Sequence, residues 1–200
     1  MCSGSMADIE MYSAEERRER HALWVESQVA ERRARFLAKR PEVFAVAGDL
    51  RPELGDWVHR FAAGKAGNLA LVGNVGGGKT WSLWKIGERL LDAGFLGRYD
   101  IVAAHRLKSL ISPPVDETTL RAYTEANLLA LDDVAAIRVS DWDSDKLYAL
   151  LDERWERRRP TIISSNITAL GEVLGERAAS RFADGVTLVK FAGPDRRGNR

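Results

Sequence analysis

Between residues 68 and 191, short apolar runs alternate with longer segments whose apolar positions recur at helical spacing, and that alternation predicts an α/β chain. Five runs read as strands: Asn68 to Val72, Tyr99 to Ala104, Leu128 to Leu131, Thr161 to Ser164 and Val186 to Phe191. Helices are expected from Lys79 to about Ala93, where Gly94 stops the pattern, and from Lys146 to Arg158, with an amphipathic stretch from His105 to Ile111 broken at Pro113-Pro114. Helices lying between strands favour a parallel sheet covered on both faces. Upstream, Ser13 to Arg40 is dense in Glu and Arg, with a sparse apolar line at Ala22, Val25, Val29 and Phe36. It predicts one long, mostly solvated helix ending at Pro41. Two roles fit such a helix equally: packing one stripe on its own domain, or serving as a handle for another protein. Ala47 to Pro52 reads as a linker, and Trp57, Val58 and Phe61 suggest a short helix before the first strand.

Composition changes this picture little. The 200 residues suffice for a full core, and 45% hydrophobic with 30% charged is a globular balance. A formal net charge of +1 leaves nucleic-acid contact to local patches, because there is no global basic field. The single cysteine, Cys2, argues against an intramolecular disulfide or a cysteine-ligated zinc, and suits a reducing cytoplasm. His21, His59 and His105 have no metal-ligand spacing, and no apolar stretch approaches a membrane span. Met1 to Met6 is set aside as an added remnant, and there is no internal repeat.

The chemistry begins directly after the first apolar run. Gly73-Asn74-Val75-Gly76-Gly77-Gly78-Lys79-Thr80 satisfies G-x-x-x-x-G-K-[ST], with helix-compatible residues from Trp81 onward. Consecutive glycines let backbone N–H groups turn inward around an anion, and the helix they open adds its positive end. Residues 73 to 81 are therefore expected to bind ATP or ADP, with Lys79 on the β- and γ-phosphates and facing solvent when no nucleotide is bound. The Thr80 hydroxyl is expected to hold Mg²⁺. The third apolar run ends in Asp132-Asp133, a Walker B arrangement in which Asp132 supports the metal and Asp133 orients or deprotonates the attacking water. Taken alone, two acids after a strand are a helix cap or turn; downstream of a phosphate loop they read as a site. The fourth run ends in Ser164-Ser165-Asn166. If that strand lies between the other two, Asn166 can hydrogen-bond the γ-phosphate or the lytic water; otherwise it caps a turn.

These residues, together with Asp152 to Asn166 (DERWERRRPTIISSN) and Gly175 to Phe182 (GERAASRF), resemble AAA+ ATPases of the DnaC/IstB-like kind, bacterial and phage replicative-helicase loaders. The resemblance spans about residues 45 to 197. It implies a five-stranded AAA+ core of helices around a parallel sheet over 47–200, preceded by an N-terminal helical region, 1–46, that docks the partner. It also implies a weak ATPase that assembles into homo-oligomers with ATP, contacts single-stranded DNA and delivers a hexameric replicative helicase in the cytoplasm of a bacterial or phage-infected cell. Asn166 matches sensor 1, and Arg181 matches the arginine finger that acts on a neighbouring subunit, with Arg177 one turn before it. Arg106 and Lys108, and the C-terminal Arg196 and Arg197, are the candidate DNA contacts. Departures from the family pattern are Asp133 where many members have Glu, which suggests slow hydrolysis, the want of a helical lid domain, and a short N-terminal region without zinc-ligand cysteines. An IstB-type transposition helper, a small-molecule kinase and a nucleotide-gated binding module are the other readings. Asp132-Asp133, Asn166 and Arg181 together speak against the kinase.

Overall fold

The computed structural model of the chain describes residues 12–136 and 141–192. Met1 to Met6, Arg196 and Arg197 lie outside the described residues. The strands are β1 (Leu69–Gly73), β2 (Tyr99–Ala103), β3 (Leu128–Asp132), β4 (Thr161–Ser165) and β5 (Thr187–Phe191). They form one parallel sheet in the order β2-β3-β4-β1-β5. All five predicted strands are present, each within a residue or two of its expected limits. The order puts β4 between β1 and β3, which meets the condition set for Asn166.

Strand alternation sends Leu69, Leu71, Leu128, Ala130 and Ile162 to one face and Ala70, Val72, Leu129, Leu131 and Ile163 to the other. The first face is covered by α2 (Pro52–Ala62) through Leu54, Trp57 and Val58, and by α3 (Lys79–Asp92) through Leu83, Ile86 and Leu90. The second is covered by α4 (Ala104–Ile111), α5 (Glu117–Glu125), α6 (Asp141–Glu156), α7 (Leu170–Leu174) and α8 (Glu176–Ala183). The sequence pattern gave no element to α5 or α7, and α6 starts ahead of the expected Lys146.

The N-terminal helix, α1 (Ala14–Lys39), opens with a reciprocal Ser13–Glu16 capping box and has no fully buried residue. The packing role is realised in part of it. Its C-terminal third docks on α3, with the Phe36 ring 5.2 Å from Trp84 and 6.0 Å from Tyr99, and Arg40 paired with buried Glu88. Gly87 makes room, since a Cβ there would lie 2.2 Å from the Phe36 ring. Farther up, Leu23 and Trp24 are 66% and 54% exposed. Among the described residues no helix is long and apolar enough to cross a membrane.

Arg154 on α6 is 1% exposed and pairs with no carboxylate among the described residues. It donates to the carbonyls of Tyr123, Thr124 and Ala126 at the end of α5, to Pro160 O and to Thr161 Oγ1 at the start of β4. A cation at a helix C-terminus is favourable, and the guanidinium fork can satisfy several carbonyls at once. Burial lowers its pKa to about 9, so it remains charged at neutral pH.

Candidate functional site

β1 ends in a loop whose backbone admits only glycine at key points. At Gly73 (φ 135°) a Cβ would lie 2.0 Å from Phe191 O on β5, and Gly78 adopts φ 96° at the N-cap of α3. The loop thus closes over the start of α3, whose first N–H groups are the anion-binding end. Lys79 corrects one expectation: it is 8% exposed, with Nζ donating to Gly73 O at 2.7 Å and Asn74 O at 2.8 Å.

A hydrogen-bonded chain joins the ends of β3 and β4 to α3. Thr80 Oγ1 donates to Asp132 Oδ1 at 3.1 Å, Ser164 Oγ donates to the same oxygen, and the Asp133 N–H donates to Ser164 Oγ at 2.8 Å. Burial raises the Asp132 pKa from its ordinary value, opposed by the hydrogen bonds from Ser164 and Thr80. Asp133 itself stands in the left-handed region at φ 58°, with its side chain exposed. The Thr80 hydroxyl and Asp132 carboxylate are hard oxygen donors that fit Mg²⁺, which takes one or two protein oxygens and completes its shell from phosphates and water. Among the described residues there is no group of three or more His, Cys, Asp and Glu that could hold a metal ion.

These groups line a cavity of about 650 Å³. Gly76, Gly78, Lys79 and Thr80 form its floor, and Asp132, Asp133, Ser164 and Asn166 one wall. A further part of the lining carries no signal in the sequence: Phe44, Val46, Gly48 and Asp49, from the segment before β1, join Trp81 there. Trp81 Nε1 donates to Val46 O at 3.0 Å, a Cβ at Gly48 would lie 3.2 Å from the indole, and Asp49 pairs with Arg89 at 2.7 Å. Ser164 was read only as part of a polar cluster; the signal for its role was a hydroxyl at a strand end beside an acidic strand end.

Other candidates fall outside this cavity. Arg177 and Arg181 sit on α8, where Arg181 Nε donates to Asp152 Oδ1 at 2.5 Å. The Arg181 guanidinium lies 4.3 Å from the Trp155 ring centre, and that of Arg177 lies 4.6 Å from the Tyr148 ring centre. Arg106 is exposed on α4 and Lys108 half-buried there.

A P-loop opening α3, paired acids ending the adjacent-but-one strand and a polar strand end between them define a P-loop ATPase fold of the AAA+ class. The family of IstB-like ATP binding proteins matches residues 56–179, more than half of the sequence, and the chain belongs to it. It is 25% identical over 136 residues to the phage-like element PBSX protein XkdC of Bacillus subtilis (strain 168), covering 62% of this chain and 51% of XkdC, so it spans about half the length of that relative. In fold it is similar to DnaI (TM-score 0.63, 22% identity, 80% of this chain and 95% of that one). It is also similar to the DnaC helicase loader (TM-score 0.60, 23% identity, 73% and 94%) and to AMPPCP-bound DnaA from Aquifex aeolicus (TM-score 0.58, 19% identity, 73% and 48%).

Proposed function

We propose that this protein is an ATP-dependent helicase loader: it binds Mg·ATP, assembles with copies of itself, contacts single-stranded DNA and delivers a hexameric replicative helicase. The observation that carries this reading is the division of the catalytic set. Lys79, Thr80, Asp132, Asp133 and Asn166 converge on one cavity, while Arg181 stands on α8 outside it. Among the described residues, those lining the cavity include Lys79 but no arginine, and in this reading a second copy supplies the arginine at the γ-phosphate, which couples turnover to assembly.

In this reading Lys79 exchanges its carbonyl partners for phosphate oxygens, Thr80 and Asp132 hold Mg²⁺, and Trp81 with Val46 flanks the base. The metal supplies charge neutralisation at the phosphates. Asp133 orients water, and its short arm keeps turnover slow. The exposed Leu23 and Trp24 on α1 are the docking surface for the helicase, and Arg106 and Lys108 contact DNA. The similarity to DnaC and DnaI supports a loader. The family match supports a second reading, a transposition helper of the IstB type that works with a transposase. Purified protein mixed with Mg·ATP and either a hexameric replicative helicase or a transposase, followed by sizing, separates the two. A co-migrating helicase complex that requires ATP and residues 12–30 is expected; capture of the transposase alone reassigns the protein to the second reading, and capture of neither rejects both.

A further inference from the structure

Resting on the trans-acting assignment of Arg181, we propose that Asp152, Tyr148 and Trp155 form a positioning cradle on α6 that presents Arg181 to the γ-phosphate of nucleotide held by a second copy of this chain. The three residues recur at spacings of four and three, so they line one face of α6, and α8 lays Arg177 and Arg181, also four apart, across that face. Asp152 accepts from Arg181 Nε, Trp155 stacks under the guanidinium, and the Tyr148 hydroxyl is a further hydrogen-bonding neighbour. The indole is itself fixed, with Nε1 donating to Asp184 Oδ2 at 2.7 Å just after α8, where Arg158 also pairs.

This cradle is not needed to hold α8 in place. Ala178 and Phe182 already bury the helix against the second core face, and the Arg181 side chain remains 37% exposed. Exposed ion pairs contribute little stability. What the contacts do is fix the plane of a long, rotamer-rich side chain. The bond to Asp152 uses Nε, so that carboxylate does not occupy the end-on edge between the two terminal nitrogens, an edge that can grip an anion bidentately. Pre-ordering that fork lowers the entropic cost of engaging a phosphate across an interface. Asp152, Tyr148 and Trp155 act through Arg181 and do not touch the phosphate themselves.

The test is Asp152→Asn in the full chain, which keeps shape but removes the carboxylate. ATP affinity is expected to stay within about twofold of the parent, since the substitution lies outside the nucleotide cavity, while ATP-driven assembly requires more protein and turnover falls about 10- to 100-fold, the cost of a misplaced group. Mixing Asp152→Asn with Asp133→Asn subunits is expected to restore turnover, because one interface then pairs an intact arginine with an intact water-orienting carboxylate. Trp155→Leu should reproduce this pattern, and Asp152→Asn added to Arg181→Ala should cause no further loss. Turnover by Asp152→Asn equal to or above the parent, or a loss that mixing does not relieve, overturns the cradle. If Arg181→Ala alone leaves turnover intact, it is the trans-acting assignment that fails, a result distinct from failure of the cradle.

Discussion

Asp132 combines its proposed role as a metal ligand with a structural cost, because the residue is 9% exposed and its carboxyl carries a raised pKa. A carboxyl whose folded pKa exceeds its unfolded value adds stability fully at low pH, and that contribution is lost as pH rises through the folded pKa. Asp132→Asn should therefore melt above the parent at neutral pH without nucleotide, with the gap closing on acidification, and should lose the stabilisation by Mg·ATP that the parent retains. Thermal scans across acid to neutral pH, with and without Mg·ATP, check both signs. Lys79→Met should keep the packed stem but remove the ammonium that donates to Gly73 O and Asn74 O. Loss of about 3 kcal/mol of charge-assisted hydrogen bonding at the phosphates weakens ATP about 100-fold in calorimetry. Arg154 gives the largest stability effect: Arg154→Met strands the acceptors at the end of α5 and the start of β4, and a urea midpoint drop equivalent to about 3 kcal/mol is expected, with Arg154→Lys giving little rescue because it lacks the fork. Arg154 was legible in the sequence only as part of a charged family stretch, since burial of an arginine among carbonyls depends on the distant end of α5.

At the scale of elements, what could be read was what is locally encoded. The five strands are apolar runs too short for helices, and the phosphate loop needs its glycines whatever surrounds it, so both were visible without tertiary knowledge. α7 has five residues, too few for a helical period, and α5 buries only Leu120, Tyr123 and Thr124. Ala47 to Pro52 reads as a linker, yet Ala47, Gly48 and Asp49 line the cavity, because their order comes from Trp81 and Arg89, distant in sequence. The seat of α1 is equally non-local, and it makes a prediction of unusual sign. Gly→Ala inside a helix normally stabilises by about 1 kcal/mol. At Gly87 the new Cβ meets the Phe36 ring at 2.2 Å, so Gly87→Ala should instead unseat α1, lowering the melting midpoint and raising hydrogen exchange across its C-terminal third. In a Phe36→Ala background the obstruction is gone, and the same change should become stabilising. A stabilising Gly87→Ala in the parent would show that α1 does not rest on α3 there.

For the molecule as a whole, a net charge of +1 supplies no long-range steering, so the proposed assembly would be driven by what nucleotide adds at the interface. Mass action then separates two contributions to stability. Mg·ATP binding to a single chain stabilises by RT ln(1 + [L]/Kd), about 2.7 kcal/mol at a hundredfold excess over Kd, whatever the protein concentration. Assembly through a nucleotide-bridged interface adds an increment that grows with protein concentration, because the associated state is folded and the unfolded chain is not part of it. The parent at saturating Mg·ATP should show a melting midpoint that climbs with protein concentration, whereas Arg181→Ala should show the ligand shift alone, flat across the same range. Neither protein should show concentration dependence without nucleotide. The comparison needs no partner and no turnover, so it probes the division between the cavity and α8 directly. If Arg181→Ala climbs as steeply as the parent, nucleotide-driven association does not pass through Arg181, and the second copy completes the site by some other surface or not at all.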